Sequence, residues 1–526
     1  MISGETTKPG VEPARGLLPR AAGVSLSEGR VPALLFAVAI LVRLLFLFVT
    51  LNNGGDSFAR FSLAQGWLRT PNRLPSDVWP PFHFWLLATA LAIWNSEWSA
   101  RALTMLLGAV TVVPFWGIVR RLFDRQVALY ASLTLAVFGF HIGYSDTTSS
   151  EVPTVFLLVL GLYCWLRFRN GDGWRWLLAI APVFGAACLT RFEPWLWLPV
   201  LTVLLLDFSS GLRSVLTNRT AWIRAIAFGV ASSAGAIGWM IYSFLRWSSP
   251  FAQAAQTQLL QETVYAYMRP PLWYRVVVVP GSLVVSLSPL LPALAVLGMV
   301  LIFARRRLLP AVPAILLLVL AGAHEANSVR QSLTMSRYTL VYSWLLFPYA
   351  FEGVRWLRDK SARLAVPNLH VAVLALFLLW QAGVTAGSYV GPDWSVDRLS
   401  MVSPTLPLTR EARTIINWLR ENRGPNDAIL MDTYHDWSTD ILRFSGVSLE
   451  DAYRVPYPAD PVALRNKVTA FLSTRHPRLL VYSPEGELGR ILHPSPGSAA
   501  ELPEYGIRLH RQFQTTNFVV YSIEYR

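Results

Sequence analysis

Long apolar runs, separated by short polar and basic stretches, dominate this chain. The first run, residues 31–51, is long enough to cross ~30 Å of hydrocarbon as a helix. Similar runs continue to residue 389, and the pattern predicts about eleven membrane-spanning helices. The predicted spans are 31–51, 99–119, 126–142, 153–168, 175–190, 193–207, 221–245, 276–303, 310–325, 338–354 and 366–389.

One apolar segment, Phe82–Trp94, does not fit this pattern. It has only about half to two-thirds of the length that a span needs, it follows Pro80 and Pro81, and it contains His83. We predict a short re-entrant or surface helix there. It would lie within a long first outer loop, after a juxtamembrane helix at Ser57–Arg69.

The distribution of arginine supports this assignment and gives the chain an orientation. If Phe82–Trp94 does not cross, the N-terminal tail and most short basic clusters fall on one side, which the positive-inside bias makes cytoplasmic. After an odd number of crossings, the chain beyond residue 390 would lie outside. The clusters on the predicted inner side are 120–125, 167–175, 213–224, 305–307 and 355–363.

The composition agrees with a polytopic membrane protein. Of the 526 residues, 53% are hydrophobic and only 15% are charged, and the mean hydropathy is +0.40. The net charge of +14 comes from arginine-rich loops between apolar segments, so it does not indicate a nucleic-acid partner.

Beyond residue 390 the pattern changes to that of a small α/β domain, in which helical spacing alternates with short apolar runs. The predicted elements are helices at Leu408–Asn422 and Pro461–Ser473 and strands at Asp427–Asp432, Arg478–Ser483 and Asn517–Ile523. The chain therefore divides into a cytoplasmic tail (1–30), an α-helical multi-span domain (31–390) and an extracytoplasmic α/β domain (391–526).

Polar residues suited to chemistry lie in four segments that are all predicted to be outside. A carboxylate can take a proton from a hydroxyl group, and an arginine can hold a phosphate through two parallel hydrogen bonds. The candidates are Asp56, Asp77 and His83 in the first loop, His141, Asp146 and Glu151 in the second, Arg191 and Glu193 between the fifth and sixth spans, and His324 and Arg337 in the last loop.

Each candidate also has a purely structural interpretation, which the sequence leaves open. These alternatives are helix capping for Asp56, solvation or capping for Asp146 and Glu151, a local ion pair for Arg191 and Glu193, packing for His83 and His141, and interfacial anchoring for Arg337.

Four motifs resemble those of the GT-C superfamily of membrane glycosyltransferases, above all bacterial relatives of dolichyl-phosphate-mannose protein mannosyltransferases and of lipid A aminoarabinose transferases. The resemblance covers about residues 31–210. The motifs are Gly55-Asp56-Ser57-Phe58-Ala59-Arg60 with Ala64, the segment Trp79-Pro80-Pro81-Phe82-His83-Phe84-Trp85, the span from Ser99-Ala100-Arg101 to Arg120-Arg121, and Tyr144-Ser145-Asp146 with Glu151.

The resemblance implies an inverting glycosyltransferase that acts on the outer face of the membrane. The donor would be a sugar on a polyprenyl phosphate, and the acceptor a hydroxyl group of a protein, glycan or lipid. Asp56 would be the catalytic base. The implied substrate-binding residues are Asp146, Glu151, Arg337, His83, Arg191 and Glu193.

Two departures from the family pattern refine this expectation. Many relatives have two adjacent acidic residues in the first motif, whereas Ser57 follows Asp56 here. A single carboxylate indicates a base and gives no support for a metal ligand or another cofactor. Trp79 stands before Pro80 in place of a lysine-containing variant, which speaks against the aminoarabinose transferases in particular.

Two other functions remain possible from the sequence alone. A transporter or lipid flippase would also have many spans and intramembrane charge, but the two halves of the chain show no internal repeat. A catalytically inactive assembly factor is the third alternative.

Overall fold

The structure is a computed structural model. It describes residues 29–52, 56–71, 74, 76, 79–206, 212–256, 258, 271–330, 336–360, 368–390, 410–424, 427–432, 437–447, 451–454, 461–484, 486–492 and 499–526. The predicted tail (residues 1–28) and Asp77 lie outside the described residues.

Helices form nearly all of the N-terminal part of the chain. The first ten are α1 (Arg30–Leu47), α2 (Ser57–Arg69), α3 (Phe82–Ile93), α4 (Glu97–Val110), α5 (Val112–Leu122), α6 (Arg125–Ala136), α7 (Gly139–Ser145), α8 (Glu151–Arg169), α9 (Arg175–Cys188) and α10 (Glu193–Val203).

The helical bundle continues to residue 390. Its further helices are α11 (Leu212–Thr217), α12 (Arg219–Trp247), α13 (Leu272–Leu287), α14 (Leu290–Ala304), α15 (Leu308–Arg330), α16 (Leu340–Ser343), α17 (Phe347–Lys360) and α18 (Leu369–Val390), and short 3-10 turns at Ser336–Thr339 and Trp344–Leu346 flank α16.

Every predicted span coincides with helix in the structure, which confirms the helical membrane architecture. Among the described residues, six helices are long and apolar enough to cross a membrane, and eight segments qualify if each of two bent pairs is one span. The predicted short helix is also present, as α3, and it packs against α2 and α4. The number of crossings stays a prediction.

Two predicted spans are broken helices. The pair α6 and α7 bends by 49°, and the pair α13 and α14 bends by 106°. The predicted span 276–303 is therefore wrong as a single helix. Ser288 has a positive φ of 72° at the break, and the following Pro289 disfavours helical geometry in the residue before it.

The predicted inner loops meet at one end of the bundle. Arg355 contacts Asp124 at 2.5 Å, and Arg305 contacts Glu352 at 3.3 Å. Because these loops are far apart in sequence, their convergence agrees with spans that alternate in direction, as the basic clusters predicted.

The C-terminal part folds around a six-stranded sheet. Its elements are α19 (Arg410–Asn422), β1 (Ile429–Met431), α20 (Trp437–Phe444), β2 (Ala452–Arg454), α21 (Pro461–Arg475), β3 (Leu479–Tyr482), β4 (Ala499–Leu502), β5 (Ile507–Gln514) and β6 (Val519–Tyr525).

The strand order is β2-β1-β3-β6-β5-β4. Strand β1 pairs in parallel with β2 and with β3. The pairs β3–β6, β5–β6 and β4–β5 are antiparallel. The five predicted elements are all present. The sequence prediction missed α20, β2, β4 and β5. The strand β5 is largely polar, so it lacks the apolar signal that marked β1 and β3.

Candidate active site

Asp56 lies at the start of α2, at the end of the bundle opposite the Arg355–Asp124 contact. It occupies the N-cap position of α2, yet its side chain accepts no cap hydrogen bond from this helix within the described residues. Capping therefore does not explain its position. Its side chain is 28% exposed, which leaves part of the carboxylate open to a ligand.

Two arginines contact the Asp56 carboxylate. Arg337 donates a hydrogen bond from Nη2 to Oδ2 at 3.2 Å. Arg60, one helical turn after Asp56, places its own Nη2 3.8 Å from the same oxygen, and its guanidinium stacks over Trp79 at 4.4 Å from the ring centre. Both arginines are almost fully buried.

Two further carboxylates pair with Arg337 and with a third arginine, Arg191. Glu151, which is only 2% exposed, lies 3.7 Å from Arg337 and accepts a hydrogen bond from Arg191 at 3.0 Å. Arg191 also pairs with Glu193 at 2.5 Å. The local ion pair between Arg191 and Glu193 is thus real, but it is one part of a larger network that connects the second, third and fourth predicted outer segments.

These groups surround a cavity of about 490 Å³. Asp56 and the guanidiniums of Arg60, Arg191 and Arg337 line it together. The remaining lining residues are Trp79, Pro80, Thr190, Phe192, Glu193, Leu196, Ala254, Gln258, Ala323, His324, Asn327 and Tyr338. The cavity thus has a charged side and an apolar side.

The surrounding cations keep Asp56 ionised. Burial raises the pKa of the Asp56 carboxyl, but the charges of Arg337, Arg60 and Arg191 and the hydrogen bond from Arg337 outweigh it, so the pKa lies below its ordinary value. An ionised carboxylate that is partly exposed to a cavity can accept a proton from a bound hydroxyl group.

Three predicted site residues, Asp146, His83 and Glu151, are not among those that line the cavity, and Glu151 is connected to it through Arg191 and Arg337. The Asp146 side chain is fully buried, and its backbone oxygen accepts a hydrogen bond from Arg101 at 2.7 Å. His83 is fully buried in α3, where its ring lies beside Phe84. His141, outside the cavity as well, binds Arg43 at 2.7 Å. Burial rules out simple solvation of Asp146.

No role was predicted for several residues of the cavity, among them Arg60, Tyr338 and Asn327. Arg60 follows Asp56 at the i,i+4 spacing of a helical ion pair, which is a signal present in the sequence. Tyr338 lies beneath Arg191 and Arg337, each 5.5 Å from its ring centre. Asn327 lies one turn beyond His324 on α15, and nothing local in the sequence distinguishes it.

Comparison with known proteins agrees with this architecture. The sequence model of the dolichyl-phosphate-mannose-protein mannosyltransferase family matches residues 78–239. A sequence search of the curated proteins finds no match.

Among solved structures, ArnT from Cupriavidus metallidurans bound to undecaprenyl phosphate has a TM-score of 0.57, at 14% identity over 94% of this chain and 98% of that chain. The same protein in the apo state has a TM-score of 0.51, at 15% identity and with the same coverage of 94% and 98%.

The archaeal oligosaccharyltransferase AglB from Archaeoglobus fulgidus, in complex with an inhibitory peptide and a dolichol-phosphate, reaches only 0.49, at 13% identity over 87% of this chain and 69% of that chain. That score is too low to support an argument.

The matched segment and the fold are both similar to those of membrane glycosyltransferases, in agreement with the GT-C resemblance of the sequence motifs. Within that class, the segment from the second part of the first loop to α12 is similar to the protein mannosyltransferases, and the fold as a whole is similar to that of ArnT.

Proposed function

We propose that this glycosyltransferase moves a sugar from a polyprenyl-phosphate-linked donor to an acceptor hydroxyl group on the extracytoplasmic face, with inversion at the anomeric carbon. One observation carries the proposal: the Asp56 carboxylate shares a single cavity with the guanidiniums of Arg60, Arg191 and Arg337. A base and a phosphate-binding cluster are the two elements that this reaction needs.

The arginine side of the cavity suits a lipid phosphate. Guanidinium groups bind phosphate oxygens through paired, charge-assisted hydrogen bonds. Leu196 and Ala323 give the same cavity an apolar side, which suits the first part of a lipid tail. The binding of undecaprenyl phosphate by ArnT, which has a similar fold, supports a polyprenyl phosphate carrier here.

In the proposed step, Asp56 removes the proton from the acceptor hydroxyl. The acceptor oxygen forms a bond to the anomeric carbon while the bond from that carbon to the phosphate oxygen breaks. The phosphate leaves with the electron pair and one additional negative charge, which Arg337 and its neighbours offset. Displacement in one step inverts the anomeric carbon.

Two glutamates that pair with the arginines, Glu151 and Glu193, would orient them. Glu151 contacts both Arg191 and Arg337, and Glu193 fixes the other side of Arg191. Asp146 and His83 would contribute indirectly, through the loop before Glu151 and through α3. The arginines supply the positive charge that the leaving phosphate needs, so the proposed reaction includes no cofactor.

The orientation follows from the arginine distribution. The end of the bundle with the basic loops faces the cytoplasm, together with the N-terminus, and the cavity and the C-terminal domain face outward. The acceptor can be a protein, a glycan or a lipid.

The test is Asp56→Asn in the full-length protein, purified and reconstituted with a panel of radiolabelled polyprenyl-phosphate sugars. Loss of a general base lowers kcat by about 100-fold or more. Asp359→Asn makes the same chemical change at an exposed residue at the opposite end of the bundle and leaves transfer unchanged. If Asp56→Asn transfers sugar at the parent rate, the base assignment is wrong. If the parent protein moves lipid between leaflets but transfers no sugar, the glycosyltransferase function is wrong.

A further inference from the structure

One arginine of the C-terminal domain reaches into the membrane domain beside Asp56. Arg443, on α20, donates a hydrogen bond from Nη1 to the backbone oxygen of Asn52 at 3.0 Å. Its Nη2 forms an ion pair with Glu97 at the start of α4. The same guanidinium stacks over Phe58 in α2, 4.7 Å from the ring centre. A single side chain therefore contacts three separate segments around Asp56.

Asn52 is the anchor of the segment that leads to Asp56. Its side chain is fully buried, and its Oδ1 accepts hydrogen bonds from the backbone nitrogen of Thr148 at 2.7 Å and from the Thr148 hydroxyl at 3.0 Å. The single hydrogen of that hydroxyl is shared with the backbone oxygen of Ser57, which lies closer, at 2.5 Å. Asp56 is thus fixed from both sides along the chain, by Asn52 before it and Ser57 after it.

Arg443 fixes the same segment through other atoms than Thr148 does. Thr148 holds Asn52 through its side chain, whereas Arg443 holds it through its backbone, and Phe58 is held by the face of the same guanidinium. Asp56 must stay within hydrogen-bond distance of Arg337 on one side and of an acceptor hydroxyl on the other. A small displacement of this segment would separate the base from its reaction partner.

We propose that Arg443 is a positioning residue, through which the docked C-terminal domain holds the Asp56 segment in its catalytic geometry. This inference rests on the proposed function and extends it, because it makes the C-terminal domain part of the active enzyme. Arg443 is not among the described residues that line the cavity, so it acts on Asp56 through the segments that it contacts, at Asn52, Phe58 and Glu97.

The first test is Arg443→Lys. Lysine keeps the charge for Glu97, but a compact ammonium group cannot also donate to Asn52 and stack on Phe58 as a planar guanidinium does. We expect kcat to fall about tenfold, as for loss of one charge-assisted hydrogen bond, with an unchanged KM for the donor lipid. The acid limb of the pH–rate profile would also move to higher pH, because the contact of Asp56 with Arg337 loosens.

A charge-swapped double variant separates positioning from simple docking. Arg443→Glu combined with Glu97→Arg restores an ion pair between the domains but leaves no donor from position 443 to the Asn52 backbone. We expect the parent melting temperature and a low kcat. Recovery of kcat to the parent value would show that Arg443 only docks the domain, and would overturn the proposal.

A structural measurement gives a readout that needs no sugar donor. The Thr148 amide is bonded to Asn52, so its hydrogen exchange reports how firmly Asn52 is anchored. Arg443→Lys should accelerate this exchange about tenfold, whereas Arg508→Lys, an arginine paired with Glu501 at the far edge of the sheet, should not change it.

Two failures can be told apart in these experiments. If Asp56→Asn is inactive while Arg443→Lys matches the parent in kcat, pH profile and Thr148 exchange, the positioning role is wrong and the proposed function stands. If Asp56→Asn is fully active, the base assignment itself fails, whatever Arg443→Lys does.

Discussion

At the scale of single residues, the charge state of Asp56 is the central property of the site. A carboxylate this close to three guanidiniums stays ionised at neutral pH, but each cation also makes it a weaker base. In the structure, other carboxylates also pair with these guanidiniums. Glu151 and Glu193 take part of the charge of Arg191 and Arg337, and among the described residues Asp56 accepts one side-chain hydrogen bond, from Arg337.

Arg337→Met tests this balance. The pKa of Asp56 is held below its ordinary value partly by Arg337, so removal of this cation raises it. The proposed base works only when it is ionised. As the pH is lowered, the variant should therefore lose activity at a higher pH than the parent does. Loss of the phosphate contact would also lower kcat about tenfold or more.

The measurement is the pH–rate profile of the parent and the variant at saturating donor. Arg330→Met removes an exposed arginine near the end of α15 and serves as the matched control. An acid limb at the same pH in Arg337→Met and the parent would contradict the electrostatic coupling between Arg337 and Asp56.

At the scale of elements, close packing joins two helices that lie outside the site. Helices α14 and α17 approach so closely that a methyl group added to Gly298 would overlap the backbone oxygen of Tyr349. On the other helix, a Cβ at Gly353 would lie 2.5 Å from the backbone oxygen of Leu294. Small residues allow this approach between membrane helices.

Gly298→Ala should therefore destabilise the protein, by about 1–3 kcal/mol for an overpacked contact. The obstacle is backbone, which cannot rotate away as a side chain could. Thermal unfolding of the purified protein in detergent measures the effect. Gly322→Ala, on α15, adds the same methyl group to open space and should leave the melting temperature unchanged or slightly higher. Equal melting temperatures for the two variants would show that the contact tolerates the methyl group.

At the scale of the whole molecule, the alternation of helices brings the predicted outer segments to one end and the basic loops to the other. Asp56, Glu151, Arg191 and Arg337 meet at the first end. The contact of Arg355 with Asp124 marks the second end. This segregation agrees with spans that cross in alternating directions, and the arginine bias predicts the sense of the crossing.

Cysteine labelling tests the orientation. A cysteine at Arg526, the last residue, should react with a membrane-impermeant maleimide in intact cells, whereas a cysteine at Asp172 should react only after permeabilisation. The native Cys164 and Cys188 are buried, so background labelling is low. Protection of the C-terminal cysteine in intact cells would overturn the proposed orientation.

The sequence by itself determined the membrane architecture. Hydrocarbon thickness sets the length of an apolar span and loop charge sets its direction, so both leave a signal in every segment. The same reasoning grouped the polar loops, and the resemblance of the first motif to the GT-C pattern singled out Asp56 within them. The bend between α13 and α14 had only a weak local signal, Ser288 before Pro289, because proline also occurs inside α13 without ending it.

Only the tertiary structure decided which polar residues act together. Asp56 and Arg337 are separated by 281 positions in the chain yet share a hydrogen bond, and Asp146, five residues before Glu151, is buried and is not among the residues that line the cavity. Counting spans along the chain predicts which polar residues lie on the outer face. Contact within that face depends on how the helices pack and where each one ends, and this information is distributed over the whole bundle.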